Sequence, residues 1–239
     1  MKMRLSVLVF VVMALGASSV RAQTIQRGRA CSVNDGFSMA DVVETARNIN
    51  WSEATAPVVV RIREAVAVAG PFQEDYDFVF ELYYSSYADM VEKRGAFRRL
   101  PGGRNGRGFS DVATCSEAVR ISNVTFATPP RGNEFPQATL FASTLCELNG
   151  ASIADAVTLA GTIGENLGAV GAVFNRTFGG PRVPRNSSVS FNFLFPSPAD
   201  FGTALDRIRQ NPATPDQQNA ISCSVGSFWV SHVIHRRTN

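Results

Sequence analysis

The chain has 239 residues, 45% of them hydrophobic and 18% charged, with four cysteines and two histidines. Its formal charge of +3 comes from 23 basic and 20 acidic side chains, and Lys2, Arg4 and Arg21 alone account for the excess. The remainder is neutral, which excludes a broad electrostatic pull toward nucleic acid or a membrane surface.

The first segment reads as a signal peptide over residues 1–22. Lys2 and Arg4 precede the apolar run Leu5 to Leu15, and small residues lead to Val20-Arg21-Ala22. This is the order of a charged region, an apolar region and a cleavage site, with the mature chain opening at Gln23. The run is too short to span a bilayer, and no later segment is long enough. The expected location is therefore periplasmic or secreted. Cysteines in an exported chain pair, so the four form two disulfides.

Four Ser-x-Ala-Asp tetrapeptides punctuate the chain, beginning at Ser38, Ser86, Ser152 and Ser197. Each has the form of a helix start: the Ser hydroxyl accepts from an orphan backbone N–H, and the Asp three residues on reaches back to the cap. Asp also suits the positive end of the helix dipole, and Pro198 stands at the first helical position, where its missing N–H costs nothing. The first and third boxes follow matching segments, Cys31-Ser32-Val33-Asn34 and Cys146-Glu147-Leu148-Asn149. Apolar residues then recur at Met39, Val42, Val43, Ala46 and Ile49, and at Ile153, Ala156, Val157, Ala160 and Ile163, the spacing of one helix face.

Two β-rich segments come next in each half. They run from Pro57 to Ala69 and Asp77 to Tyr84 around Gly70-Pro71, then from Ala169 to Phe178 and Ser188 to Phe195 around Gly180-Pro181. A second helix follows in each half, with Phe201, Ala204, Leu205 and Ile208 marking the later one. A last strand carries Cys115 or Cys223. Each half thus reads strand–helix–strand–strand–helix–strand, the ferredoxin-like order. The stretch Thr128-Pro129-Pro130-Arg131-Gly132-Asn133 is the linker, giving an α+β fold of two repeats over 23–131 and 132–239. Symmetry permits all three cysteine pairings. In a ferredoxin-like sheet the first and fourth strands are neighbours, so Cys31–Cys115 and Cys146–Cys223 are expected.

The segment from Asp77-Phe78-Val79-Phe80-Glu81-Leu82-Tyr83-Tyr84 through Ser86-Tyr87-Ala88-Asp89-Met90 resembles the strand-then-helix unit of the dimeric α/β-barrel superfamily. That superfamily includes the antibiotic-biosynthesis-monooxygenase-like, EthD-like and NIPSNAP-like families. The resemblance implies that the two repeats pack sheet to sheet as a pseudo-dimeric barrel within one monomeric chain. It also implies a ligand held between sheet and helices, and activities that include cofactor-independent oxygenation and haem degradation. The haem-degrading branch fits poorly, because its axial histidine would fall within Ser86–Arg94 or Ser197–Arg209, and neither contains one. No cofactor and no metal are expected.

Alternation along the third strand separates Phe78, Phe80, Leu82 and Tyr84 from Val79, Glu81 and Tyr83. The second half offers Ser190, Asn192 and Leu194 on the latter face. On the second strand Arg61 and Arg63 share a face, aligned in sequence with Gly171 and Val173. If these faces turn into the barrel, Arg61, Arg63, Glu81 and Tyr83 form a ligand-binding set, with Glu81 and Tyr83 as catalytic candidates. A structural salt bridge is the other reading. Asn34 and Asn149 either donate into a pocket at the sheet edge or form turns before the helix caps. His232 and His235 read as a poor metal pair on opposite faces of a strand. Lys93 to Gly108 carries six positive charges and five glycines. It lacks the Lys-Ser/Thr ending of a phosphate loop and reads as a solvated connection, a lid, or a contact for an anionic partner.

These features lead to an exported protein that binds a small organic molecule or a partner. A cofactor-independent monooxygenase-like enzyme for a small phenolic or anionic substrate is the alternative. An envelope structural or interaction protein is the third reading.

Overall fold

The computed structural model describes residues 23–67, 76–99, 108–128, 138–179, 188–210, 221–224 and 226–237. The signal-like segment, both Gly-Pro turns and all of the linker after Thr128 lie outside the described residues. The elements are β1 (Gln23–Val33), α1 (Met39–Arg47), β2 (Val59–Ala67), β3 (Phe78–Tyr84), α2 (Tyr87–Arg99), α3 (Phe109–Val112), β4 (Ala113–Cys115) and β5 (Arg120–Thr128). The second series is β6 (Ala138–Leu148), α4 (Ile153–Leu167), β7 (Gly171–Gly179), β8 (Ser188–Phe195), α5 (Pro198–Gln210), β9 (Ile221–Cys223) and β10 (Ser227–Arg236).

All four Ser-x-Ala-Asp boxes stand at helix N-termini. Ser38 and Ser152 make complete capping boxes: each hydroxyl accepts from the N–H of the Asp three residues on, and that carboxylate accepts from the cap N–H. At α2 the reciprocity is broken. Ser86 accepts from the Asp89 N–H at 3.0 Å, but the Asp89 carboxylate turns to the N–H and hydroxyl of Ser85. At the other end of α4, Gly168 takes the left-handed conformation (φ 74°) that closes the helix, and Arg207 of α5 donates to the Asn166 carbonyl beside it. The arginine–glycine segment is less of a loop than its composition suggests. Residues 93–99 continue α2, 100–107 lie outside the described residues, and Gly108 precedes α3.

The ten strands form one antiparallel sheet. Within the first series the order is β2-β3-β1-β5, and within the second it is β7-β8-β6-β10, so each reproduces the ferredoxin-like order. The series join through β5–β7 and β10–β2 pairing, and the β10–β6 ladder completes an eight-stranded ring. The last strand of each half, expected to be continuous, is split. Cys115 lies opposite Cys31, the chain then makes a short excursion, and pairing with β1 resumes at Arg120 opposite Gly28. The second half repeats this, with β9 holding Cys223 opposite Cys146 and β10 beginning opposite Ser143.

Both expected disulfides are present, Cys31–Cys115 and Cys146–Cys223. Each pins the short strand to the first strand of its half beneath the helices. Outside the barrel, α1 packs its Val42, Val43 and Ala46 with Ile62 and Phe78, while α4 packs its Ala156, Val157 and Ala160 with Phe174 and Phe191. Gly164 is where α4 comes closest to the sheet: a Cβ there would lie 2.8 Å from the Ala172 methyl. The layer between sheet and helices is therefore mainly apolar in both halves.

Candidate functional site

Opposed residues of an antiparallel ladder point to the same side, so the registers define the barrel interior strand by strand. Arg61 faces Glu81, Gly28 also faces Glu81, and Gln26 faces both Tyr83 and Ser122. Trp229 lies opposite Phe141 on one side and Ala65 on the other, and Ser231 lies opposite Arg63. The interior is thus a mixed compartment. Val124, Phe141, Val173, Leu194 and Trp229 make an apolar cluster, joined by Val79 and Tyr83. Glu81, Gln26, Ser122, Ser143, Asn175 and Asn192 are buried beside it.

Within this compartment the polar residues of the first half form a chain. Gln26 Nε2 donates to the Tyr83 hydroxyl at 3.3 Å, and that hydroxyl donates to Glu81 Oε2 at 2.8 Å. Glu81, only 2% exposed, holds Arg63 through Oε1 at 3.1 Å. The guanidinium of Arg63 in turn lies over Trp229 and Phe141, at 4.6 and 5.4 Å from their ring centroids. Burial and the Glu81 charge push the Tyr83 hydroxyl well above the ordinary phenol range, overcoming the opposite pull of Arg61 and Arg63. Tyr83 is therefore a neutral donor that orients the carboxylate. The network is incompletely satisfied. Glu81 Oε1 is near enough to Arg63 for an ion pair but is not aligned for a hydrogen bond. Together with Arg63 Nε, Asn175 Oδ1 and Trp229 Nε1, it finds no hydrogen-bond partner among the described residues.

The two halves are alike in backbone and opposite in chemistry. Sequence alignment set Arg61 and Arg63 against Gly171 and Val173. The ladders shift that match by one alternation. Val59 faces Tyr83 as Gly171 faces Leu194, so the counterparts of Arg61 and Arg63 are Val173 and Asn175. By the same logic Gln26, Glu81, Tyr83 and Ser122 correspond to Phe141, Asn192, Leu194 and Trp229. The charged half thus faces an aromatic half, and Arg63 bridges them.

No protein-family model matches the sequence, and no curated protein resembles it significantly by sequence. Solved structures do resemble its fold. A candidate monooxygenase from Fusobacterium nucleatum superposes over 90% of this chain and 94% of its own, with 9% identity and a TM-score of 0.50. A candidate chlorite dismutase covers 89% of this chain and 95% of its own at 11% identity and a TM-score of 0.49. An anthrone oxidase-like protein covers 91% and 95% at 12% identity and a TM-score of 0.46. The fold is that of the dimeric α/β barrel. Here both units are carried by one polypeptide.

In the fused barrel, the residues singled out from sequence divide into two groups. Arg61, Arg63, Glu81 and Tyr83 share the interior. Asn34 and Asn149 lie apart at the ends of β1 and β6, the first half-buried and the second exposed. Asn34 donates to the carbonyls of Ser110 and Asp111 and accepts from Thr114, and Asn149 donates to Ser222. Both clasp the segment that carries the partner cysteine. The histidines depart from simple alternation. A bulge between Val233 and His235 sets His232 opposite Ile62 and His235 opposite Val60, which puts both on the helix-covered side. There His232 Nε2 meets Glu64 at 2.8 Å, and His235 stacks on Trp51. A cleft of about 380 Å³ opens nearby between Val33, Phe37, Met39, Glu64 and Tyr76. Among the described residues, no helix is long and apolar enough to cross a membrane.

Sequence reasoning missed Gln26, Phe141 and Trp229, which come from strands distant in the chain. The available signal was the exchange of polar for aromatic residues at repeat-equivalent positions.

Proposed function

We propose that this is an exported protein that binds one small anionic or phenolic organic molecule inside the fused barrel, against Arg61, Arg63, Glu81 and Tyr83. The observation that carries the reading is the buried, one-sided polar chain with its unsatisfied atoms. An unpaired buried donor or acceptor costs about 1–3 kcal/mol, and replacing a buried ion pair with packed apolar groups is often neutral or stabilising. A purely structural interior has little reason to keep such groups, whereas a binding site does. An eight-stranded barrel leaves room for side chains or for one small ligand, which limits the guest to the size of a single aromatic acid. Two disulfides and the signal-like first 22 residues support export.

The test is a thermal-shift screen of phenols, aromatic carboxylates and aliphatic acids against the whole protein. At least one class should raise the melting temperature in wild type and lose its effect in Glu81→Gln. A screen without any shift, together with an interior closed by side chains, would sink the reading.

A cofactor-independent monooxygenase-like activity is the second reading. It is favoured by the Tyr83–Glu81 hydrogen bond, which holds in place a buried carboxylate suited to accept the proton of a phenol, and by the fold shared with the candidate monooxygenase. Oxygen uptake upon adding a phenol, abolished in Glu81→Gln, distinguishes catalysis from binding.

A further inference from the structure

We infer that Trp229, from the other half of the barrel, is a recognition residue for the same guest, and that the guest is a small hydroxy-acid carrying both an acceptor and a donor. This rests on the binding reading above.

Trp229 is fully buried, yet its indole N–H has no hydrogen-bond partner among the described residues. Buried indole N–H groups ordinarily find one. The ring has little freedom to turn toward another acceptor. Arg63 lies over it at 4.6 Å and Tyr76 stacks with it at 6.2 Å between centroids, nearly parallel at 11°. The indole is thus held beside the Arg63–Glu81 pair with its donor buried and unpartnered among the described residues.

The other unsatisfied atoms define the complement. On the interior face Arg63 Nε and Trp229 Nε1 are donors, Glu81 Oε1 and Asn175 Oδ1 are acceptors, and the Thr24 hydroxyl, opposite Val124, is either. A simple carboxylate would answer the donors and repel the acceptors. A hydrocarbon would answer neither. A molecule with a carboxylate at one end and a hydroxyl at the other answers both, because its oxygen accepts from the indole and guanidinium while its hydroxyl donates to Glu81 or Asn175. The second-half counterpart of Ser122 is therefore a tryptophan that contributes chemistry as well as bulk.

The probe is 4-hydroxybenzoate, with benzoate and phenol as single-function controls, titrated into the whole protein by calorimetry. Wild type should bind 4-hydroxybenzoate at least tenfold more tightly than either control. Trp229→Phe, which keeps the aromatic volume and removes the donor, should weaken it by tenfold or more. The chain has two tryptophans, so Trp51→Phe isolates the emission of Trp229, which should shift on binding even if the Trp229→Phe protein proves unstable. Binding by wild type with an unchanged Trp229→Phe affinity and silent Trp229 emission would overturn the role of Trp229 while leaving the binding reading intact. Equal affinity for all three probes would overturn the hydroxy-acid assignment. No binding of any of them would overturn both.

Discussion

The guanidinium of Arg63 lies 4.6 Å from the ring centroid of Trp229, across the seam where β2 of the first half pairs with β10 of the second. A cation over an indole is worth about 0.5–2 kcal/mol, more when desolvated. Trp229 is the repeat counterpart of Ser122 and Arg63 that of Asn175, so the pseudo-two-fold partner of this contact has neither charge nor ring. The barrel closes symmetrically in backbone and asymmetrically in chemistry.

Removing one member of the buried ion pair should cost far more than removing both. Arg63→Ala leaves Glu81 charged and uncompensated, with an expected loss of about 3–5 kcal/mol, whereas Arg63→Met with Glu81→Leu should lose much less. Urea unfolding of the single and double variants measures this. Additive losses would show that the two side chains do not act as a pair.

Tyr83→Phe should destabilise the protein by about 1–3 kcal/mol, because Glu81 Oε2 loses its phenolic donor. The Tyr83 hydroxyl titrates above its ordinary range in the folded state. The unfolded chain therefore gives up this proton first, and stability falls as pH rises past about 10. Alkaline unfolding curves should show this component in wild type and lack it in Tyr83→Phe. Identical alkaline slopes would contradict a buried phenol.

His235 acts on the acid side. Burial and the neighbouring Arg237 lower its pKa, and it stacks on Trp51 at 5.9 Å. The unfolded chain binds the proton first as pH falls through about 6.5, so the stability conferred by neutral His235 is present above that range and lost below it. His235→Phe should flatten the fall in melting temperature between neutral and mildly acidic pH. A proton NMR titration showing an ordinary histidine midpoint would refute the burial effect.

The two disulfides close loops of similar length, with sequence separations of 84 and 77. Removing either by paired Cys→Ala substitution should cost a similar amount, about 2–5 kcal/mol. Differential scanning calorimetry of the two double variants, with and without reductant, checks this. A large disparity would mean that one half is held mainly by other contacts.

Local chemistry explains what the sequence disclosed. The helix starts at Ser38 and Ser152 are decided within four residues, and the face shared by Glu81 and Tyr83 follows from a period of two. The disulfides followed from strand order. The interruption after Cys115 and Cys223 was hidden, because nothing in residues 116–119 or 224–226 differs in type from an ordinary strand edge. The partner of Arg63 was hidden for a different reason. Trp229 reaches it only because β10 crosses to the other half, and that pairing is set by the closure of the ring.

The most direct test of a ligand-binding interior is a crystal structure of the protein soaked with 4-hydroxybenzoate. One molecule is expected inside the barrel, within hydrogen-bonding distance of Glu81 Oε1 and the Trp229 indole N–H. An interior filled by side chains, with Arg63 and Glu81 satisfied only by each other and no guest bound, would contradict the account.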